Sequence, residues 1–593
     1  MKSFWKTVGA VIVGLLLFGF IQGILTFITM VTFMTALTAD TETTLSDNTV
    51  YHLKLTGTMV DYSAKEDFSS FYSIFSERLG DAEAEISIAD IRRSLEIAAQ
   101  DEHVKVLYLD CDLLSASPAS CEEVRKLILK FKKESKKPVI AYADNYTQAA
   151  YWIASVADKM YMNPEGLVGL VGISSNVIFM HEALEKLGVK MQVVKVGTFK
   201  SAVEPYLLDE MSEPNRLQLT RMGEGIWNVM LNDIAASRNQ PVDSVRRFAD
   251  EGHYFDSSAN VVEMGIIDSL VYRQDMEHVL TSLAGGKPKM VKLAKMLEVK
   301  YTPKSSGNKI AVLYALGGID EGDGKGIESE KIIKQLNKLA EDDKVKAVVL
   351  RINSPGGSAF GSEQMWYAES KLKTKKPLIV SMGDYAASGG YYMSCVADYI
   401  VADPTTLTGS IGIFGIFPCF EGTLNKIGVH VDGTKTSPYA DLGNLSHPLT
   451  ESERAILQNY INRGYDLFTN RCADGRGISQ DSIKVIGEGH PVPDLPRRRR
   501  IGAVPPDLAL RRTHQEPAVR SRDLAHQEHL GLVADVLDAA GDGVRRGVEV
   551  DGVGRREGNR HVVRRIRFAP ERELDRHVAG REVRDVVPCV PRE

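Results

Sequence analysis

The residues best suited to chemistry are a serine set among small residues and a lysine far upstream of it. Ser388 lies in Asp384-Tyr-Ala-Ala-Ser-Gly-Gly-Tyr-Tyr392, after an apolar strand-like run and before a short helical stretch. A serine followed by two glycines at a helix start presents its hydroxyl, and the first N–H groups of that helix can face a developing negative charge. Glycine next to the serine permits close approach of a substrate carbonyl. Ordinary helix N-caps also use serine, so the turn alone decides little. A second glycine turn, Asn353-Ser-Pro-Gly-Gly-Ser358, follows the run ending at Leu350 and offers a further unobstructed backbone N–H. Taken singly, it is a tight turn.

A serine hydroxyl needs a base. His430 and His447 are the histidines of this region, and neither stands in a recognisable triad motif. The alternative is a lysine pushed below its usual pKa by burial. An internal repeat points to one. Lys137-Pro-Val-Ile140, Tyr151-Trp152 and Val156-Ala-Asp158 recur as Lys376-Pro-Leu-Ile379, Tyr391-Tyr392 and Val396-Ala-Asp398, which implies a duplicated unit. Where the second copy has Ser388-Gly-Gly390, the first has Gln148-Ala-Ala150; where the second has its Pro-Gly-Gly turn, the first has Asp112-Leu-Leu-Ser-Ala116. The lysine shows the opposite asymmetry. In Gly197-Thr-Phe-Lys200, aligned on Gly-Thr with the second copy, Lys200 faces Thr436. The first copy has kept a lysine and lost the serine. Lys435, one residue out of register, competes with it, and a solvated surface lysine is the plain reading of either.

The elements that must position these residues alternate. Val104 to Leu109, Pro138 to Tyr142, Val345 to Leu350 and Pro377 to Ser381 read as strands, with helices over Cys121 to Glu134 and Glu363 to Leu372. Strand, helix, strand at this spacing predicts α/β domains with mostly parallel sheets. Pro303 to Lys309 reads as the linker between copies, and Ile310 to Tyr314 opens the second.

The chain has 593 residues, 44% hydrophobic and 25% charged, enough for about three domains. A net charge of −6 gives no reason to expect nucleic acid. Six cysteines without CxxC or CxxH spacing argue against a zinc site and against a disulfide scaffold. Val8 to Ala36 is uncharged and apolar, preceded by Lys2 and Lys6, and reads as an uncleaved membrane anchor with its N-terminus in the cytoplasm. After Lys484 there is no lysine and after Tyr465 no tyrosine. The first copy runs on from Glu251-Gly-His253 into Tyr254 to Asp268, whereas the second reaches Glu488-Gly-His490 and departs into Pro491 to Arg500. This break predicts a reading-frame shift; a basic or disordered tail is the rival reading.

As a set, the anchor, the two copies, the split Ser and Lys and the Pro-Gly-Gly-Ser turn resemble the signal peptide peptidase A (protease IV) family in its long form, within the Clp protease/crotonase superfamily. The resemblance covers roughly residues 1 to 490. It implies tandem duplicated ClpP/crotonase-like β/α spiral domains behind a transmembrane helix: an anchor at 8–36, a first module at 48–302, a second at 303–490 and an aberrant tail at 491–593. It implies Ser388 as nucleophile, Lys200 as general base and Ser410 as the residue orienting the lysine, with Leu170 at the latter position in the first copy. The backbone N–H groups of Gly357 and Gly389 would form the oxyanion hole, and no cofactor or metal is expected. Cleaved signal peptides as substrates, a homotetramer, contact with the lipid bilayer and a place on the outer side of a bacterial inner membrane are also implied. Two other classes share parts of the pattern. A crotonase-like acyl-CoA enzyme would be soluble and carry an acidic residue at the active turn, and a membrane scaffold would have lost its chemistry.

Overall fold

In the run Val104 to Cys111 every side chain but that of Lys105 is buried, which only a strand covered on both faces can sustain. The computed structural model describes residues 4, 13–15, 17–29, 44–63, 85–301, 308–322, 326–488, 547–550 and 566–569. The first sheet contains β1 (Thr49–Val60), β2 (Glu85–Ser87), β3 (Val104–Ser115), β4 (Val139–Ala143) and β5 (Lys159–Met162). β6 (Lys190–Lys195) lies apart from it, while β7 (Ser269–Leu270) and β8 (Lys289–Lys292) complete its edges. The order is β2-β1-β3-β4-β5-β7 with β8 beside β1, all parallel. Side chains alternate along β3: Leu107, Leu109 and Cys111 enter the main core, and Val106 and Tyr108 a second cluster with Met276 and Leu280.

The second sheet repeats this pattern with β9 (Lys309–Leu316), β10 (Val345–Ser354), β11 (Leu378–Ala387) and β12 (Tyr399–Val401) side by side and parallel. β13 (Leu407–Gly409) pairs with the far end of β11. Anchoring contacts recur between the sheets. Asp158 accepts from Val139 N at 2.7 Å and Asp398 from Leu378 N at 2.9 Å. Lys132 donates to Val156 O and Lys373 to Val396 O. The expected strands and helices are present, with the helices running over Pro118–Ser135 and Ala359–Lys373.

Val312, Tyr314, Val349 and Arg351, on the back face of the second sheet, line a small cavity together with Asp61, Ile88, Ala89, Arg92 and Glu123 of the first module. The two modules therefore meet across a mixed apolar and charged layer. Finally, β14 (Phe414–Cys419) pairs antiparallel with β6 from the first module, Phe414 opposite Lys195 and Cys419 opposite Lys190.

One buried group is out of keeping with its surroundings. Glu369, on the helix Ala359–Lys373, is fully buried and neither carboxylate oxygen has a hydrogen-bond partner. Burial raises its pKa well above the ordinary 4.5. The folded chain thus keeps a proton that the unfolded chain releases above about pH 4.5, and stability falls as pH rises from there. Glu369→Met should stabilise the protein by about 1–3 kcal/mol at pH 8 and by less at pH 4. Denaturant titrations at the two pH values read this directly; an equal effect at both would contradict it.

The sequence-based membrane placement is corrected. Among the described residues no helix is long and apolar enough to cross a membrane. The expected anchor at 8–36, and with it an inner-membrane localisation, is therefore not supported. Positions 8–12, 16 and 30–36 of that stretch, most of the linker at 303–309 and most of the tail at 491–593 lie outside the described residues. Within the tail, Gly547–Val550 and Ile566–Ala569 pair as antiparallel strands.

Candidate active site

Ser388 is placed by a break in the ladder between β10 and β11. The register shifts between Ile352 and Ser354, so that Ser354 faces Ala386 and the residues around Gly383 bulge out. A bulge re-aims the residues beyond it. Here the bulge is held by Asn353, whose Oδ1 accepts from Tyr385 N at 3.0 Å and whose Nδ2 donates to Asp384 at 3.0 Å and to Asp61 of the first module at 2.5 Å. Ser120, also from the first module, donates its N–H and hydroxyl to Asp384 at 2.9 and 2.8 Å. Ser388 follows as the N-cap of the helix Gly389–Ser394, with φ 54° and ψ −116°. A non-glycine residue in this region carries strain of order 1–3 kcal/mol, which the surrounding contacts must hold. Six non-glycine residues among those described have positive φ, and the two serines among them are Ser388 and Ser410.

Lys200 reaches Ser388 from the first module. β6 is bonded along β14, and Val196 N continues that ladder to Ile413 O at 3.2 Å. The chain then turns at Gly197, with φ 101°, and delivers Lys200 into the junction. Its Nζ lies 3.2 Å from Ser388 Oγ and donates to Ser410 Oγ at 2.9 Å and Ser410 O at 3.1 Å. Lys200 is only 8% exposed, and burial lowers its amine from the ordinary 10.5 to about 8. The aliphatic stem is confined as well: a Cβ added at Gly412 would lie 3.2 Å from Lys200 Cδ.

The two glycine turns also meet here. A Cβ added at Gly356 would come within 2.7 Å of Ser388 Cβ and 2.8 Å of Gly389 N, distances that side chains do not tolerate. Ile319 bonds Gly356 O and accepts from Ser358 N, which leaves the intervening Gly357 N–H outside that pairing. The structure thus brings Lys200, Ser388, Ser410, Gly357 and Gly389 into one neighbourhood.

The competing residues lie elsewhere. Lys435 forms an exposed ion pair with Asp441 at 2.6 Å, His447 bonds the same carboxylate at 3.0 Å, and His430 is exposed. In the first copy, Gln148 occupies the place of Ser388. Its side-chain oxygen accepts from Val171 N and Gly172 N, a purely structural use, and Leu170 is fully buried. Sequence reasoning missed Gly356, Asn353, Asp384, Asp61 and Ser120. The first three sit within or beside the quoted motifs, whereas Asp61 and Ser120 carry no local signal.

Residues 131–287 and 370–492 match the family model described as peptidase family S49. Protease 4 of Haemophilus influenzae is 37% identical over 424 residues, covering 68% of this chain and 68% of that one. The chain belongs to peptidase family S49. Protease 4 of Salmonella typhi is 35% identical over 421 residues, again covering 68% of both chains. The chloroplastic serine protease SPPA of Arabidopsis thaliana is 29% identical over 422 residues, 68% of this chain and 61% of its own. The S49 chain is accordingly a serine peptidase of the protease 4 type, acting on peptides, and the acyl-CoA and scaffold readings are set aside.

Proposed function

We propose that this S49 peptidase cleaves peptide bonds with a Ser388–Lys200 dyad. The observation that carries the reading is the 3.2 Å approach of a buried amine to a strained serine hydroxyl. A neutral amine has two N–H bonds and one lone pair. With both hydrogens given to Ser410 Oγ and O, the lone pair faces the Ser388 hydroxyl. Lys200 takes that proton as Ser388 Oγ attacks the scissile carbonyl, and the N–H groups of Gly357 and Gly389 stabilise the oxyanion. The protonated lysine then gives its proton to the leaving amine. Neutral again, it activates the water that hydrolyses the acyl-enzyme.

The sign of the pH dependence follows. Below about 8 the amine of Lys200 is protonated and cannot accept. kcat/KM should therefore climb about tenfold per pH unit and level off above pH 8. A midpoint in the ordinary histidine range, or a flat profile, would exclude Lys200 as the base.

The two sheets are read as duplicated ClpP/crotonase-like modules at 48–302 and 303–490, supported by their shared strand order and anchoring contacts. The resemblance assigns cleaved signal peptides as substrates and a homotetramer as the assembly; degradation of a synthetic signal peptide and sedimentation equilibrium test these. The tail at 491–593 is assigned to a reading-frame shift, in keeping with a family match that stops at residue 492. Resequencing the codons for Gly489 and His490 decides that point.

A further inference from the structure

We infer that Glu488 is a positioning residue for the loop that carries Lys200, an inference that rests on the dyad reading. The loop from Val196 to Lys200 has little to fix it locally. Gly197 turns with φ 101°, and the bond closing the turn, Lys200 N to Gly197 O, is 3.4 Å long. Beyond Val196 the backbone tie to the rest of the protein is a carboxylate. Glu488 Oε2 accepts the Thr198 N–H at 2.8 Å, and a Cβ added at Gly197 would sit 3.5 Å from Glu488 Oε1. Both carboxylate oxygens thus lie along the Gly197–Thr198 segment. A charge-assisted bond of this length is among the stronger single contacts available to a loop.

Glu488 is itself held where it can sense both halves of the site. It caps the helix Gln480–Gly487, whose last residue packs against the Ser410 side of the centre. A Cβ added at Gly487 would meet Ile411 O at 3.2 Å and Tyr465 Oη at 3.4 Å. One helix end therefore touches the segment leaving Ser410 and, through the next residue, the loop entering Lys200. The equivalent glutamate is used differently in the first copy. There Glu251 turns its carboxylate to its own His253 at 3.2 Å, a local contact. The second copy has directed the equivalent glutamate across the module boundary. Glu488 acts through the backbone of Thr198 rather than through charge on the amine: the lowered pKa of Lys200 has burial as its cause.

The test uses the full chain and three variants. Glu488→Ala should lower kcat by about 10–100-fold with KM little changed, because a shift of about 1 Å in a catalytic group costs about that much. The loosened loop admits water to Lys200, so the midpoint of the pH–rate profile should move up from about 8 toward the ordinary lysine value. Glu488→Gln keeps an acceptor oxygen and should recover most of the rate and the original midpoint. Wild-type kcat and midpoint in Glu488→Ala would overturn the inference. So would equal damage in both variants, or a fall in melting temperature with no change of profile, since each marks a merely structural residue. Lys200→Ala is the control that separates the two readings: if it stays active, the dyad is wrong, whatever Glu488 does.

Discussion

Ser388→Ala and Lys200→Ala should each reduce peptidase activity by at least about a thousandfold, and the double variant should lose no more than either single one. Residues that act as a unit in catalysis are grossly non-additive, because removing one leaves the other without a task. A fluorophosphonate probe gives an independent readout: it should label Ser388 in the parent, nothing in Ser388→Ala, and label Lys200→Ala far more slowly. Lys200→Arg should fail as well. The guanidinium keeps the charge but does not deprotonate at any working pH, so it cannot serve as the base. Retention of a tenth or more of the parent rate in either alanine variant would dismantle the assignment. Substrate affinity should change little, since neither side chain is needed to bind the ground state.

The second large effect concerns the layer between the modules. Arg351→Met should destabilise the protein by about 3–5 kcal/mol, the usual consequence of removing one partner from a buried ion cluster. Arg351 donates to Asp61 at 2.6 Å and to Glu123 at 2.8 Å, and Arg92 closes the group on Glu123 at 2.6 Å, with all these side chains about 5% exposed or less. Without Arg351, Asp61 is left charged, buried and without its cation. The damage should also reach activity, because Asp61 holds Asn353, and Asn353 holds the bulge before Ser388. A double variant that adds Asp61→Asn removes the stranded charge while Glu123 keeps Arg92, and should recover much of the stability. Denaturant titration measures both; a loss below about 1 kcal/mol from the single variant would mean that water already reaches the cluster.

The parallel sheets and the split serine and lysine were legible because they depend on local patterns. Apolar runs bounded by turns gave β3, β4, β10 and β11, and the asymmetry between copies singled out Ser388 and Lys200. The route by which the lysine arrives was not legible. Nothing in Lys190 to Lys195 announces that it will pair with Phe414 to Cys419, since an antiparallel ladder between distant segments leaves no periodic trace. The interface charges were hidden for the same reason. Asp61, Arg92 and Glu123 read as ordinary surface residues of a strand end and two amphipathic helices until a second sheet covers them. The membrane placement failed differently: apolar composition over Val8 to Ala36 points to a span, yet among the described residues no helix is long and apolar enough to cross a bilayer.

The pairing of β6 with β14 imposes an order on the birth of the enzyme. The amine is synthesised 188 residues before the alcohol it serves, and the clasp that joins them comes later still in the chain. On the proposed dyad, neither half can cut anything during translation, and hydrolytic power arrives only when the late segment zips onto the early one. Latency of this kind needs no propeptide and no inhibitor. It is written into the distance along the chain between two groups that must touch.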